Sequence, residues 1–320
     1  MTLLAFLLAL SVAAVCISLG IAYYCFRVGF YAPRKPLPEG AFDLPEGKEY
    51  EPFYDSMKRW ILEARSMPRE TFTIRSFDGL KLSAHYYEYA PGAPIELMFH
   101  GYRGSAERDL SCGIPRCFKL GRSAFIVDQR CSGDSDGHVI TFGVNEHKDC
   151  LAWIDFMVDH FGPDVKIILT GLSMGASTVL MAGGKELPPN VIGILADCGY
   201  HSQKEIICKT IREMGLPPKV FYPFAKLGAK IFGHFDLEEI TPEEAVKKCR
   251  VPVIFFHGDA DTFVPSEMSR ISYEACSSRK QLVIIPGAGH GLAYPVGKEA
   301  YLKAAGEFFG PEGGLTVPQN

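Results

Sequence analysis

The chain opens on its longest uninterrupted apolar run. Met1 to Phe26 contains no Asp, Glu, Lys or Arg, and only Thr2, Ser11, Ser18 and Gly20 interrupt its hydrophobic character. About 20 mainly apolar residues carry a helix across the hydrocarbon core of a bilayer, and this run supplies them. Tyr23 and Tyr24 fall where an interfacial aromatic belt sits, and Arg27, Arg34 and Lys35 follow. The pattern therefore predicts a membrane anchor over 1–26. A cleaved signal peptide is the rival, but the run lacks a positive leading segment and exceeds the usual apolar length. A buried core helix is the second rival, and an uncapped helix apolar on every side fits it poorly.

Residues 31–50 are rich in Pro and Gly and read as a linker leaving the membrane. From Tyr54 to Met67, the spacing of Met57, Trp60, Ile61 and Ala64 predicts a short amphipathic helix. Alternation over 71–75 and 80–89 around the Asp78-Gly79 turn predicts a β-hairpin. Continuous apolar runs then follow at Ile95–His100, Ala124–Asp128, Val165–Thr170, Val191–Ala196, Val253–His257 and Leu282–Pro286. Helical spacing separates them at 106–120, 145–161, 174–184, 203–232 and 266–276, with a last helix at 297–309. Such alternation predicts an α/β fold: a mainly parallel sheet covered by helices on both faces, with the antiparallel hairpin on its edge.

Composition narrows the classes. The 320 residues carry a formal charge of −4 with no clustered basic face, so nothing suggests a nucleic-acid partner. Ten cysteines in a chain of this length fall far below a disulfide scaffold, and no C-x-x-C pair exists for a zinc ribbon or a redox motif. Asp134, Asp136 and His138 lack the spacing of a calcium loop or a zinc helix, so they read as turn residues and no metal is expected.

The strongest chemical signal is Gly171-Leu-Ser173-Met-Gly175, between the apolar run VKIILT and the helical run MGASTVLMAGG. A G-x-S-x-G at a strand-to-helix turn projects the serine above the sheet. Its flanking glycines let neighbouring backbone approach without a Cβ clash. The helix start behind it favours negative charge, and the Met174 amide points towards a developing oxyanion. A serine hydroxyl needs a base, and the base needs an acid to hold it. Asp259 and Asp261 follow one apolar strand in VPVIFFHGDADTFVP, and His290 follows the next in QLVIIPGAGHG. Asp197, ending an earlier strand, is a third candidate acid.

These motifs, with HGYRGS (100–105), DQRCSGDSDG (128–137) and ITFGVNEHKDCLAWIDF (140–156), resemble the α/β-hydrolase superfamily from about Thr71 to Phe309. The resemblance is nearest to the BEM46-like or ABHD13/ABHD17-like group of single-span serine hydrolases. It implies Asp261 as the acid and the Tyr102 backbone N–H as the second oxyanion donor. His100 is read as a loop-shaping hydrogen-bonder. The family pattern has Gly where this chain has Cys131, which suits a side chain unless the backbone there needs positive φ. The resemblance places a small helical cap at about 200–250, and its many apolar side chains are expected to form a hydrophobic wall over Ser173.

The expected organisation is an anchor (1–26), a linker with a short helix (27–66), an α/β-hydrolase domain (67–310) and a flexible tail (311–320). The expected function is hydrolysis of carboxylic esters or thioesters through an acyl-enzyme on Ser173, with His290 as base, Asp261 as acid and no cofactor. The expected partner is a small-molecule or lipid acyl ester. One alternative is an aminopeptidase or amide hydrolase, which needs acidic groups near the pocket mouth to hold a free amine. The other is a non-catalytic, membrane-tethered binding module. The basic flank places the domain in the cytoplasm, with an extracytoplasmic or secreted form as the alternative.

Overall fold

The computed structural model describes residues 3–33, 38 and 40–310. The tail expected at 311–320 and the flanking cations Arg34 and Lys35 lie outside the described residues. The apolar run forms helix α1 (Leu3–Gly29), 27 residues long and exposed over its first turns. Helix α2 (Tyr54–Ser66) buries Trp60, Ile61 and Ala64, the stripe its spacing predicts. Strands β1 (Glu70–Arg75) and β2 (Lys81–Tyr87) form the antiparallel hairpin, and β3 (Ile95–Phe99) begins the parallel part.

The helix expected over 106–120 is two short ones, α3 (Ala106–Leu110) and α4 (Gly113–Lys119), followed by β4 (Ser123–Asp128) and α5 (Glu146–Phe161). Next come β5 (Ile167–Leu172), α6 (Met174–Gly183) and β6 (Val191–Asp197). The long helix expected over 203–232 divides into α7 (Gln203–Glu213) and α8 (Pro218–Phe232). Gly215 at φ +76° turns the chain, and Pro217 and Pro218 lack the amides that would continue a helix. After α9 (Pro242–Val246) come β7 (Val253–Gly258), α10 (Ser266–Ala275), β8 (Lys280–Ile285), α11 (Ala293–Val296) and α12 (Lys298–Phe309).

The sheet runs β1-β2-β4-β3-β5-β6-β7-β8, with β1, β2 and β4 joined antiparallel and every later pairing parallel. Both faces are covered, which accounts for near-continuous apolar strands. Leu97, Leu169, Ile194 and Phe255 point to the face packed by α5 and α6, around Trp153. Ile168, Leu195, Ile254 and Phe256 point to the opposite face, packed by α12 around Tyr301 and Phe308. Strand order reverses between β3 and β5, so the loops leaving those two strands diverge and open a crevice at their carboxyl ends.

The segment expected at about 200–250 as a wall over Ser173 reaches the site only at its start, where Tyr200 and Ile206 pack with Met174. Tyr222, Ala225 and Ala229 of α8 pack instead with Ile211, Phe235 and Leu237 against Phe26 and Phe30, at the end of α1. The physical reason is that α1 brings its own apolar surface, and one face of α8 is spent covering it. Gly228 permits this close approach, because a Cβ there would overlap the Ala22 carbonyl oxygen.

Candidate active site

Ser173 sits at the turn from β5 into α6 with φ +55° and ψ −116°, a conformation unfavourable for any residue with a Cβ. Its neighbours make the turn possible. A Cβ on Gly171 would strike the Gly175 carbonyl, and one on Gly175 would strike the backbone of Phe99 and His100. The Ser173 amide donates to the Asp197 carbonyl at 2.8 Å, tying the turn to β6.

Three sequence-predicted side chains meet here. Ser173 Oγ lies 2.9 Å from His290 Nε2, and His290 Nδ1 lies 2.7 Å from Asp261 Oδ2. A carboxylate only accepts, so Nδ1 carries the ring proton and Nε2 is left to accept from the serine hydroxyl. Asp261 Oδ1 accepts from the Phe263 and Val264 amides at 2.9 and 2.8 Å. Its Oδ2 also lies 3.2 Å from His257 Nε2, whose proton is shared with the Val264 carbonyl. Burial opposes the charge on Asp261, but the His257 and His290 hydrogen bonds outweigh it and hold the carboxyl at about 2. It is therefore ionised throughout the neutral range.

The other candidate acids point elsewhere. Asp259 Oδ1 accepts from the Gly287 amide at 2.6 Å and so shapes the loop carrying His290. Asp197 accepts from the Tyr301 hydroxyl at 3.0 Å, and its Oδ1 is buried without a partner among the described residues. Burial pushes this carboxyl up to about 6, against the opposing Tyr301 hydrogen bond.

The loop after β3 comes against the serine: a Cβ on Gly101 would sit 3.5 Å from that of Ser173. His100 is buried beneath this loop. Its Nε2 accepts from the Gln129 amide at 3.0 Å, so Nδ1 carries the proton and donates to the Gly101 carbonyl at 2.8 Å. Burial lowers its pKa and favours that neutral ring. The Gly101 amide donates to Asp109, leaving Tyr102 as the next amide along the loop. Met174 is the first residue of α6, where helix amides have no acceptor within the helix. The Tyr102 hydroxyl donates to the Gly29 carbonyl at 2.7 Å, and Arg103 Nη2 donates to the Val28 and Tyr31 carbonyls. The loop thus holds the last turn of α1.

Cys131 adopts φ +72°, the one condition that penalises a side chain where the resembled pattern has Gly. The turn it belongs to is fixed by Asp128, which accepts from the Ala106 and Asp134 amides, and by Arg130, which pairs with Asp149 and Asp78. Asp134, Asp136 and His138 do not converge. Among the described residues, the group whose donor atoms lie close enough to share an ion is Cys198, Asp261 and His290. There the Asp261–His290 hydrogen bond already occupies the facing lone pair and proton.

Ser173 and His290 open into a cavity of about 300 Å³. Its wall comes from a segment the sequence reads as linker and amphipathic helix: Pro45, Glu46, Glu49, Tyr50, Met57 and Trp60. Leu172, Phe263 and Pro295 complete the apolar part, and Arg108 is neutralised there by Asp109 at 2.7 Å. No residue between 198 and 250 lines it. The missed residues carried a faint signal, since Met57 and Trp60 share one helical stripe and Tyr50 is aromatic in a polar stretch.

Comparison with known proteins agrees with this architecture. No protein-family profile matches the chain. Uncharacterized protein YqkD of Bacillus subtilis is 27% identical over 190 residues, which are 59% of this chain and 62% of that protein. The match thus spans less than two thirds of YqkD. Protein bem46 of Schizosaccharomyces pombe is 25% identical over 276 residues, covering 85% of this chain and 81% of its own. Among solved structures, the Pyrococcus furiosus esterase Pf2001 superposes with a TM-score of 0.64 at 19% identity, covering 88% of this chain and 97% of the esterase. Est1E of Butyrivibrio proteoclasticus, solved with ferulic acid bound, gives 0.56 at 22% identity over 74% of this chain and 97% of its own. The chain has the α/β-hydrolase fold.

Proposed function

We propose that this α/β-hydrolase-fold chain is a membrane-tethered serine hydrolase of carboxylic esters or thioesters. The observation that carries the reading is the continuous relay from Asp261 through His290 to Ser173, at 2.7 and 2.9 Å, at the edge of the cavity. Ser173 Oγ attacks the acyl carbonyl while His290 Nε2 takes its proton, and ionised Asp261 stabilises the imidazolium that forms. The Met174 and Tyr102 amides meet the oxyanion of the tetrahedral intermediate. His290 then protonates the departing alcohol or thiol, and water repeats the sequence in reverse to free the acid. Leu172, Phe263, Met57 and Trp60 suit an apolar acyl chain. Helix α1, long and apolar enough to cross a bilayer, tethers the site to a membrane.

A second reading, hydrolysis of aminoacyl amides, draws on Glu46 and Glu49. Both are exposed on the cavity wall and stand outside the ion pairs of the described residues, where they suit a substrate ammonium. A matched panel of acyl esters, acyl thioesters and aminoacyl amides separates the readings, with Ser173→Ala as the blank. Turnover of uncharged acyl esters above the amides supports the first reading, and the reverse order supports the second. Turnover that survives in Ser173→Ala rejects both.

A further inference from the structure

Helix α8 carries three distinct stripes. Tyr222, Ala225 and Ala229 are buried, and beside them Gly228 and Phe232 meet α1 at Ala22, Tyr23 and Phe26. Val220, Phe224, Leu227 and Ile231 recur one turn apart on the next face, with Val220 51% and Ile231 40% exposed. Beyond that face lie Lys219, Lys226 and Lys230, again at helical spacing. Lys226 pairs with Glu238, whereas Lys219 and Lys230 are exposed and stand outside the ion pairs of the described residues. The apolar stripe, exposed at Val220 and Ile231 and half-buried at Phe224 and Leu227, is therefore flanked by α1 on one side and by the lysines on the other. Met214, at the α7–α8 turn, adds a further exposed apolar side chain.

Helix length decides what covers this stripe. About 20 residues cross the hydrocarbon core, so a span beginning at Leu3 leaves the core near Ala22. Ala22 is where the Gly228 backbone meets α1, and from Ala22 onward α1 turns its buried side to the folded domain. The membrane boundary thus falls at the α1–α8 contact. A helix there with one apolar stripe and a neighbouring basic stripe has the pattern of a segment lying in the headgroup region.

We propose that α8 is a second membrane contact. Its Val220-to-Ile231 stripe rests among the lipid headgroups, and Lys219 and Lys230 meet the phosphates of anionic lipids. The partner is a bilayer surface, identified by continuity with the exposed apolar surface of α1 and by the unpaired positive charge. The inference rests on α1 as the bilayer anchor, and its test keeps the two claims apart.

The full chain is reconstituted into phosphatidylcholine vesicles containing phosphatidylserine, with brominated acyl chains as short-range quenchers. Val220→Trp and Ile231→Trp each add one reporter, and Tyr89→Trp is the control. Tyr89 lies against Ser123 at the start of β4, the end of the sheet away from Tyr102 and α1. Bromination is expected to quench the added emission at 220 and 231 about two-fold or more, leaving that at 89 unchanged. The double substitution Lys219→Glu, Lys230→Glu is expected to weaken quenching of Val220→Trp in phosphatidylserine vesicles but not in pure phosphatidylcholine. Protein that fails to float with the vesicles removes the anchor and the inference with it. Protein that floats, with 220 and 231 no more quenched than 89, overturns the α8 contact alone. Crosslinks between two chains through position 220, with no quenching, assign the stripe to a second copy and also overturn it. Quenching that ignores both lipid charge and charge reversal overturns the anionic-headgroup half.

Discussion

Replacing Asp261 with Asn removes the acid's charge while keeping its shape. Asp261 Oδ1 accepts from two backbone amides, and the Asn carbonyl keeps both, so the new amide nitrogen turns towards His290. An NH₂ group donates, so His290 Nδ1 must accept, and its proton moves to Nε2, facing Ser173. A ring in that tautomer cannot take the serine proton. The corresponding exchange in serine proteases lowers kcat by about 10⁴.

Stability falls as well. The carboxyl is held at about 2, below its ordinary 3.8, so its ionised form contributes about 2 kcal/mol to folding. A depressed acid contributes fully above its unfolded pKa and loses that contribution as pH falls from about 4 to about 2. For Asp261→Asn, ester turnover is expected to drop by about 10³–10⁴. Denaturant unfolding should show about 2 kcal/mol lost at pH 7, with the gap from wild type closing below pH 4. Asp259→Asn and Asp197→Asn are expected to retain activity. Asp261→Asn within ten-fold of wild type, with either of the others inactive, would refute the assignment.

Three further outcomes follow from the same geometry. Asp197 is raised to about 6 from 3.8, so the folded state holds a proton that the unfolded chain releases between about pH 4 and 6. Asp197→Asn does not titrate, and its stability relative to wild type should improve by about 3 kcal/mol between pH 4 and 7.5 in parallel denaturant curves. Gly228→Val places side-chain atoms against the Ala22 carbonyl and should lower stability by about 1–3 kcal/mol, read by thermal unfolding in vesicles. Arg103→Ala frees the Val28 and Tyr31 carbonyls and loosens the loop carrying the Tyr102 amide. It should lower kcat about five-fold with KM unchanged, and Arg103→Lys should restore part of the loss.

Much of the sheet was legible because each strand reports its own burial. Runs such as VPVIFF are apolar at every position since both faces are covered, and the hairpin at 70–87 alternates around Asp78-Gly79. Ser173, His290 and the candidate acids stand at the ends of such strands, so chain order and turn chemistry pointed to the serine and the histidine, and the family resemblance chose Asp261 among the acids. Less legible was anything that depends on a distant partner. Residues 45–50 look like linker locally and become cavity wall only when β3 and β5 diverge beside them. The apolar excess of 203–232 reads as a pocket wall, and local pattern gives no sign that α1, far earlier in the chain, draws one face of α8 to itself. Only the Gly of the resembled pattern hinted at the φ of +72° at Cys131, whose amide donates to the Asp136 carbonyl.

The central claim is that Ser173 is the nucleophile, and covalent capture tests it most directly. A fluorophosphonate added to the full chain in vesicles, followed by peptide mapping, is expected to leave one phosphonyl adduct, on Ser173. Labelling should vanish in Ser173→Ala and slow sharply in His290→Ala. An unlabelled wild type, an adduct on another residue, or undiminished labelling of Ser173→Ala would contradict it.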